Sequence, residues 1–175
     1  MLKYFFITLL YLGSLNAQGF ICAVGGGSED YGSWSDDPYG WIVDKGDSGR
    51  VVILYYGDAT NWLPNYFVSL GASNAYNKKI STREDADLQA TYDELITAKI
   101  IFLKGGDQWQ YVKLWKGTKT EDAIRYVFEN GGVVAGTSAG AMILGDVCFS
   151  AQYSSPDSRT ALLNPASSSL SLDDD

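Results

Sequence analysis

The sequence predicts a three-layer α/β fold built on a mostly parallel sheet. Two observations carry this reading. Four apolar runs are continuous rather than alternating: residues 20–24 (FICAV), 51–56 (VVILYY), 100–103 (IIFL) and 133–135 (VVA). Strands apolar on both faces belong to sheets covered on both sides. Stretches with helical spacing separate these runs, as expected when helices cross over between parallel strands.

Taken in order, each later element has its own signal. Residues 28–49 (SEDYGSWSDDPYGWIVDKGDSG) are polar, glycine-rich and aromatic, and are expected to form a long loop at one end of the sheet. Ser81-Thr82-Arg83-Glu84 matches a capping box, and Leu88, Tyr92, Leu95 and Ile96 then share one helical face. Asp107 is positioned to cap a helix carrying Trp109, Val112 and Trp115. Thr120 is expected to cap another, with Glu121 and Asp122 at the positive end of its dipole. That helix turns Ala123, Ile124, Val127 and Phe128 inward and stops at Asn130-Gly131. From Ser150 the pattern decays into a segment rich in Ser, Pro and Asp, with no core element and no helix or strand at its end. The domain is therefore expected over residues 18–150, with residues 151–175 a Ser-rich segment.

Residues 1–17 (MLKYFFITLLYLGSLNA) carry one lysine, a short apolar run, then small and polar residues. This fits a secretory signal cleaved after Ala17, although Leu15 is bulkier than the small residue usual at that distance. A buried first strand is the competing reading. Export to a secreted or periplasmic location is expected, with no stable membrane insertion after cleavage. The full chain has ordinary globular composition, 46% apolar and 19% charged. With 13 basic against 21 acidic side chains and a net charge of -8, no basic stripe is available for nucleic acid. Cys22 and Cys148 are too few for a disulfide framework. Buried thiols are the favoured reading, with a single bridge left open. There is no histidine, and the carboxylates are scattered, so no metal site is expected. GGGSED lacks the continuation of a dinucleotide fingerprint and no G-K-[ST] follows any glycine loop, so no cofactor is expected either.

The chemistry collects where three apolar runs each end in glycines: AVGGGSED, FLKGGDQ and VVAGTSAG. Ligands of open α/β sheets bind outside the carboxyl ends of the strands, so these loops, with Gly25 and Gly26 in the first, should meet along one edge. The last contains G-T-S-A-G, a G-x-S-x-G pattern that can lift Ser138 on a sharp strand-to-helix turn as a nucleophile. The backbone N–H of Ala139 would then face a developing oxyanion, with a second donor from the Gly105-Gly106-Asp107 turn. Gln108, just past that turn, could hydrogen-bond a substrate amide or carboxylate. Each has a bland counterpart: a small residue in a glycine turn for Ser138, a solvent-facing position for Gln108. Glu29 and Asp30 are read as solvated loop carboxylates.

On GGGSED, FLKGGDQ and GTSAGAMIL, with thirty residues between Gln108 and Ser138, the chain resembles the cyanophycinase-like branch of peptidase family S51. The resemblance covers most of residues 19–145. It implies a flavodoxin-like fold of the class I glutamine amidotransferase type, with Ser138 as nucleophile and the N–H groups of Gly106 and Ala139 as oxyanion hole. Gln108 is implied as a substrate contact, with Asp107, Gly25 and Gly26 beside it. The substrate implied is an aspartyl peptide of the β-Asp-Arg type, and a homodimer is compatible with it. The family's histidine lies on a later strand, and nothing here matches it. The expectation is therefore the N-terminal part of a longer exported peptidase, inactive by itself. A non-catalytic peptide-binding homologue and an α/β-hydrolase esterase are the alternatives.

Overall fold

The structure is a computed structural model that describes residues 18–174; residues 1–17, read above as a secretory signal, lie outside the described residues. Five parallel strands form the central sheet: β1 (Phe20–Val24), β2 (Arg50–Tyr55), β3 (Asn74–Lys79), β4 (Ile100–Leu103) and β5 (Val133–Thr137), in the order β1-β5-β4-β2-β3. The three-layer α/β architecture is as the sequence predicts.

The two-residue period of a strand divides the apolar runs between the faces of the sheet. Val51, Ile53, Ile100, Phe102, Val133 and Ala135 point to one side. There they pack on Tyr39, Ile42 and Val43 of α1 (Asp36–Lys45) and on Leu63, Tyr66 and Phe67 of α2 (Trp62–Ser69). Val52, Leu54, Ile101 and Leu103 point to the other. That side is covered by α3 (Arg83–Ala86), α4 (Gln89–Leu95), α5 (Gln108–Trp115), α6 (Lys119–Glu129) and α7 (Ala139–Met142). Beyond the sheet, β6 (Val147–Phe149) pairs antiparallel with β7 (Leu172–Asp174), and α8 (Ser158–Leu163) buries no residue.

Several elements depart from expectation. The loop expected over residues 28–49 contains α1. Its two first-turn aspartates suit the helix dipole, Pro38 still lies in the first turn where proline is tolerated, and Tyr39, Ile42 and Val43 form a helical stripe. The cap after β3 is Thr82, one residue later than the capping box suggests, with its side chain accepting from the Asp85 N–H at 3.0 Å. The helix beyond breaks at Asp87, which leaves Leu88 exposed. Thr120 does not cap α6. Thr118 occupies that position, and the Thr120 hydroxyl instead donates to the Ala86 carbonyl at 2.9 Å. The chain's last segment does end in a strand, β7. The alternative of a Cys22–Cys148 bridge is not realised, and of the two thiols read as buried Cys148 is buried while Cys22 is half-buried.

Candidate active site

Ser138 is the hinge between β5 and α7. Its backbone stands at φ 51°, ψ −119°, a region that side chains other than glycine rarely occupy and that costs on the order of 1–3 kcal/mol. Three contacts hold it there. The Ser138 N–H donates to the Val24 carbonyl at the end of β1, at 3.1 Å, and its carbonyl accepts from the N–H groups of Ala141 and Met142. The turn can be this tight because α7 lies against the sheet backbone. A Cβ on Gly140 would sit 2.1 Å from the Leu103 carbonyl oxygen, and one on Gly136 would sit 2.5 Å from Gly140. The G-x-S-x-G glycines are thus required by close packing, and the serine between them is exposed.

The loops after β1 and β4 flank Ser138 on either side, because the sheet order places β5 between those strands. A Cβ on Gly26 would lie 3.2 Å from Ser138 Oγ, and one on Gly105 would lie 3.3 Å from Ser138 Cβ. Between the loops opens a cleft of about 490 Å³, lined by Gly26, Gly27, Glu29, Thr60, Trp62, Leu63, Lys104, Gly105, Gly106, Thr137 and Ser138. Ala139, the first residue of α7, is buried behind the serine, and its N–H belongs to the set that has no partner within a helix.

The remaining predicted residues divide. Gly26 and Gly106 line the cleft, whereas Gly25 lies just outside, its carbonyl accepting from Thr137 Oγ1 at 3.4 Å. Asp107 is a helix cap, its carboxylate accepting from the Trp109 N–H at 3.0 Å, while its own N–H donates to the Tyr56 hydroxyl at 2.7 Å. Gln108 is buried beside the cleft rather than in it, with Nε2 donating to the Phe149 carbonyl at 3.4 Å.

Glu29 is the residue that sequence reasoning passed over. Read as a solvated carboxylate, it is half-buried in the cleft, where its Oε1 accepts from Tyr39 Oη at 2.7 Å and from Thr137 Oγ1 at 3.2 Å. Burial, reinforced by the Glu29 carboxylate, pushes the Tyr39 hydroxyl far above the ordinary tyrosine range, so it stays protonated and donates. Tyr66, behind it, is pushed up to about 12 by burial and by the Asp36 carboxylate, which accepts a hydrogen bond from its hydroxyl at 2.6 Å. The signal in the sequence was the carboxylate three residues after Gly26. What hid it was the unrecognised α1, which supplies Tyr39.

A second groove, about 320 Å³, lies on the opposite face of the sheet, against α5, α6 and α7. Ile21, Val134, Ile124, Phe128, Ile143 and Leu144 give it an apolar lining, and Ser138 is not part of it.

A serine-bearing strand-to-helix elbow on a parallel three-layer sheet defines the class of fold and site. The family model for peptidase family S51 matches residues 65–172, more than half of the chain, and the chain belongs to that family. The crystal structure of a peptidase from an acI-B1 actinobacterium superposes with a TM-score of 0.58 at 21% identity, over 76% of this chain and 59% of that one. The chain thus spans well under two thirds of that structure's length. None of the curated proteins compared with the chain matches it.

Proposed function

We propose that this chain is the nucleophile-bearing part of an exported serine peptidase that cleaves a peptide or isopeptide bond next to an aspartyl residue, of the β-Asp-Arg type. The observation that carries the reading is Ser138 on its strained elbow, exposed at the bottom of a cleft between two glycine loops. In the reaction, Ser138 Oγ attacks the carbonyl carbon and gives its proton to a base. The oxyanion is met by the N–H of Ala139 and by that of Gly106 on the β4 side. The base then protonates the leaving amine, and water releases the acyl group from the serine.

None of these 175 residues is a histidine, the base that such a serine ordinarily uses. We place it on polypeptide of the same protein that pairs with the open edge of β1 and covers the apolar groove beneath. Support for that placement comes from β1 itself, an apolar edge strand with Phe20 and Ile21 exposed, and from the 59% share of the related peptidase that the chain spans. The test is labelling with a fluorophosphonate probe, which reacts with activated serines. The reading expects modification of Ser138 in the protein whose sheet continues past β1, lost in Ser138→Ala. Hydrolysis of β-aspartyl peptides should follow the same pattern.

The missing histidine also favours a second reading, a homologue that keeps the elbow and binds peptide without cleaving it. It expects peptide binding in the cleft with no probe adduct on Ser138 in any form of the protein.

A further inference from the structure

Glu29 is used at one oxygen only. Oε1 takes both hydroxyl donors, Tyr39 and Thr137, and so ties the β1–α1 loop to the residue that precedes the nucleophile. No donor among the described residues reaches Oε2. Because Glu29 is half-buried and Oε2 is not among the enclosed polar atoms left without a partner, that oxygen keeps access to solvent, on a residue that lines the cleft. No lysine or arginine among the described residues forms an ion pair with Glu29. Lys104 is the cation that shares the cleft, and its Nζ lies over the Tyr55 ring, 4.8 Å from the centroid, on the β2 side. Trp62 supplies a flat wall near Glu29, stacked from behind by Tyr66 at 5.0 Å.

A carboxylate drawn partly out of water without a counter-charge is a poor arrangement for the empty protein and a good one for a cationic ligand. The net charge of -8 adds a field that favours the same sign of ligand. We propose that Glu29 is a specificity-determining residue, whose outward oxygen receives a positively charged group of the substrate, an ammonium or a guanidinium, on the β1 side of Ser138. The inference rests on the reading of this cleft as the substrate site and assigns one of its recognition contacts. Oε1 positions the loop; Oε2 selects the ligand.

The two roles separate in Glu29→Gln, which keeps a carbonyl oxygen for Tyr39 and Thr137 and removes the charge. Binding is measured by calorimetry with three probes of similar shape: N-acetyl-argininamide (guanidinium only), norvalinamide (α-ammonium only) and N-acetyl-norvalinamide (neither). The native protein is expected to bind one charged probe at least about tenfold more tightly than the neutral one. Which charged probe wins tells a side-chain guanidinium from a terminal amine. In Glu29→Gln the preference disappears while the thermal unfolding midpoint stays in place. Should that variant fold poorly, the native protein still decides, because the preference must weaken as salt is raised. Equal affinities for all three probes, no cation-selective binding up to millimolar concentration, a preference that survives in Glu29→Gln, or one indifferent to salt would overturn the proposal. An unreactive Ser138 would leave these affinities untouched, so failure of the peptidase reading and failure of this one look different.

Discussion

The two edges of the sheet are built on opposite principles. β3, at one end, reads Asn-Ala-Tyr-Asn-Lys-Lys, and its lysines are held in ion pairs, Lys78 with Glu94 at 2.7 Å and Lys79 with Asp58 at 2.8 Å. Charged, especially lysine-bearing, edges discourage a further strand from adding. β1, at the other end, reads Phe-Ile-Cys-Ala-Val, with Phe20 39% and Ile21 50% exposed. Its neighbour β5 is equally apolar and buried throughout. Among the described residues, charge closes the β3 edge while the β1 edge has no further strand, and that edge is the one next to Ser138. That difference is why the base is sought beyond β1.

The sharpest contrast should come from two glycines near Ser138, one in α7 and one in the loop after β1. Gly140→Ala drives a methyl into the Leu103 carbonyl, a backbone atom with nowhere to move, and is expected to cost about 3 kcal/mol or more in denaturant unfolding. Gly25→Ala, where a Cβ meets nothing within 4 Å, should leave the unfolding midpoint unchanged. Comparable losses at both positions would mean that the β1 end is as tightly packed as the elbow.

Strand interiors give the next largest effect. Ile101→Ala on β4, fully buried, is expected to lose about 2–5 kcal/mol. Ile21→Ala on β1 should cost about 1 kcal/mol in this chain, because half of the side chain already faces water. In a protein whose sheet continues past β1, the cost at Ile21 should rise towards that at Ile101. A cost that stays low in that setting would break the proposed link between the β1 edge and the base.

Glu29→Ala tests the bond between the two ends of the cleft. It strips the acceptor from the buried Tyr39 hydroxyl and should destabilise by about 1–3 kcal/mol, whereas Glu29→Gln should be close to neutral. The smallest effect belongs to the closed edge. Burial raises the Glu94 carboxyl, but the Lys78 ammonium and the Tyr76 hydroxyl outweigh it and hold the group below its ordinary value of 4.5. Its contribution is therefore complete above that value and lost as pH falls through the lowered one. The stability difference between the native chain and Glu94→Gln should shrink on acidification, and one that grows instead would have the sign wrong.

The parallel sheet was legible because its strands are continuous apolar runs, and the elbow because glycine, serine and glycine keep a fixed spacing that only a tight strand-to-helix turn requires. β3 and α2 were not foreseen. β3 is polar because it is an edge, so it carries no apolar run, and α2 has its proline in the first turn. α1 was hidden by glycines and serines that make the segment look like a loop, although Tyr39, Ile42 and Val43 have helical spacing. The same oversight hid Glu29, whose partners come from α1 and β5 and are 10 and 108 residues away. Gln108 illustrates the reverse limit. Its place after the glycine turn was clear, but its amide faces Phe149, forty-one residues on.

The most direct test of the account is to treat two proteins with a fluorophosphonate probe and locate the adduct by mass spectrometry. One is this 175-residue chain; the other is the protein isolated from its natural source. The account predicts an adduct on Ser138 in the natural protein and none on the 175-residue chain, whose elbow is formed but has no base. Equal labelling of both would show that the base lies within these residues. Absence of label on Ser138 in the natural protein would contradict the serine-peptidase reading itself.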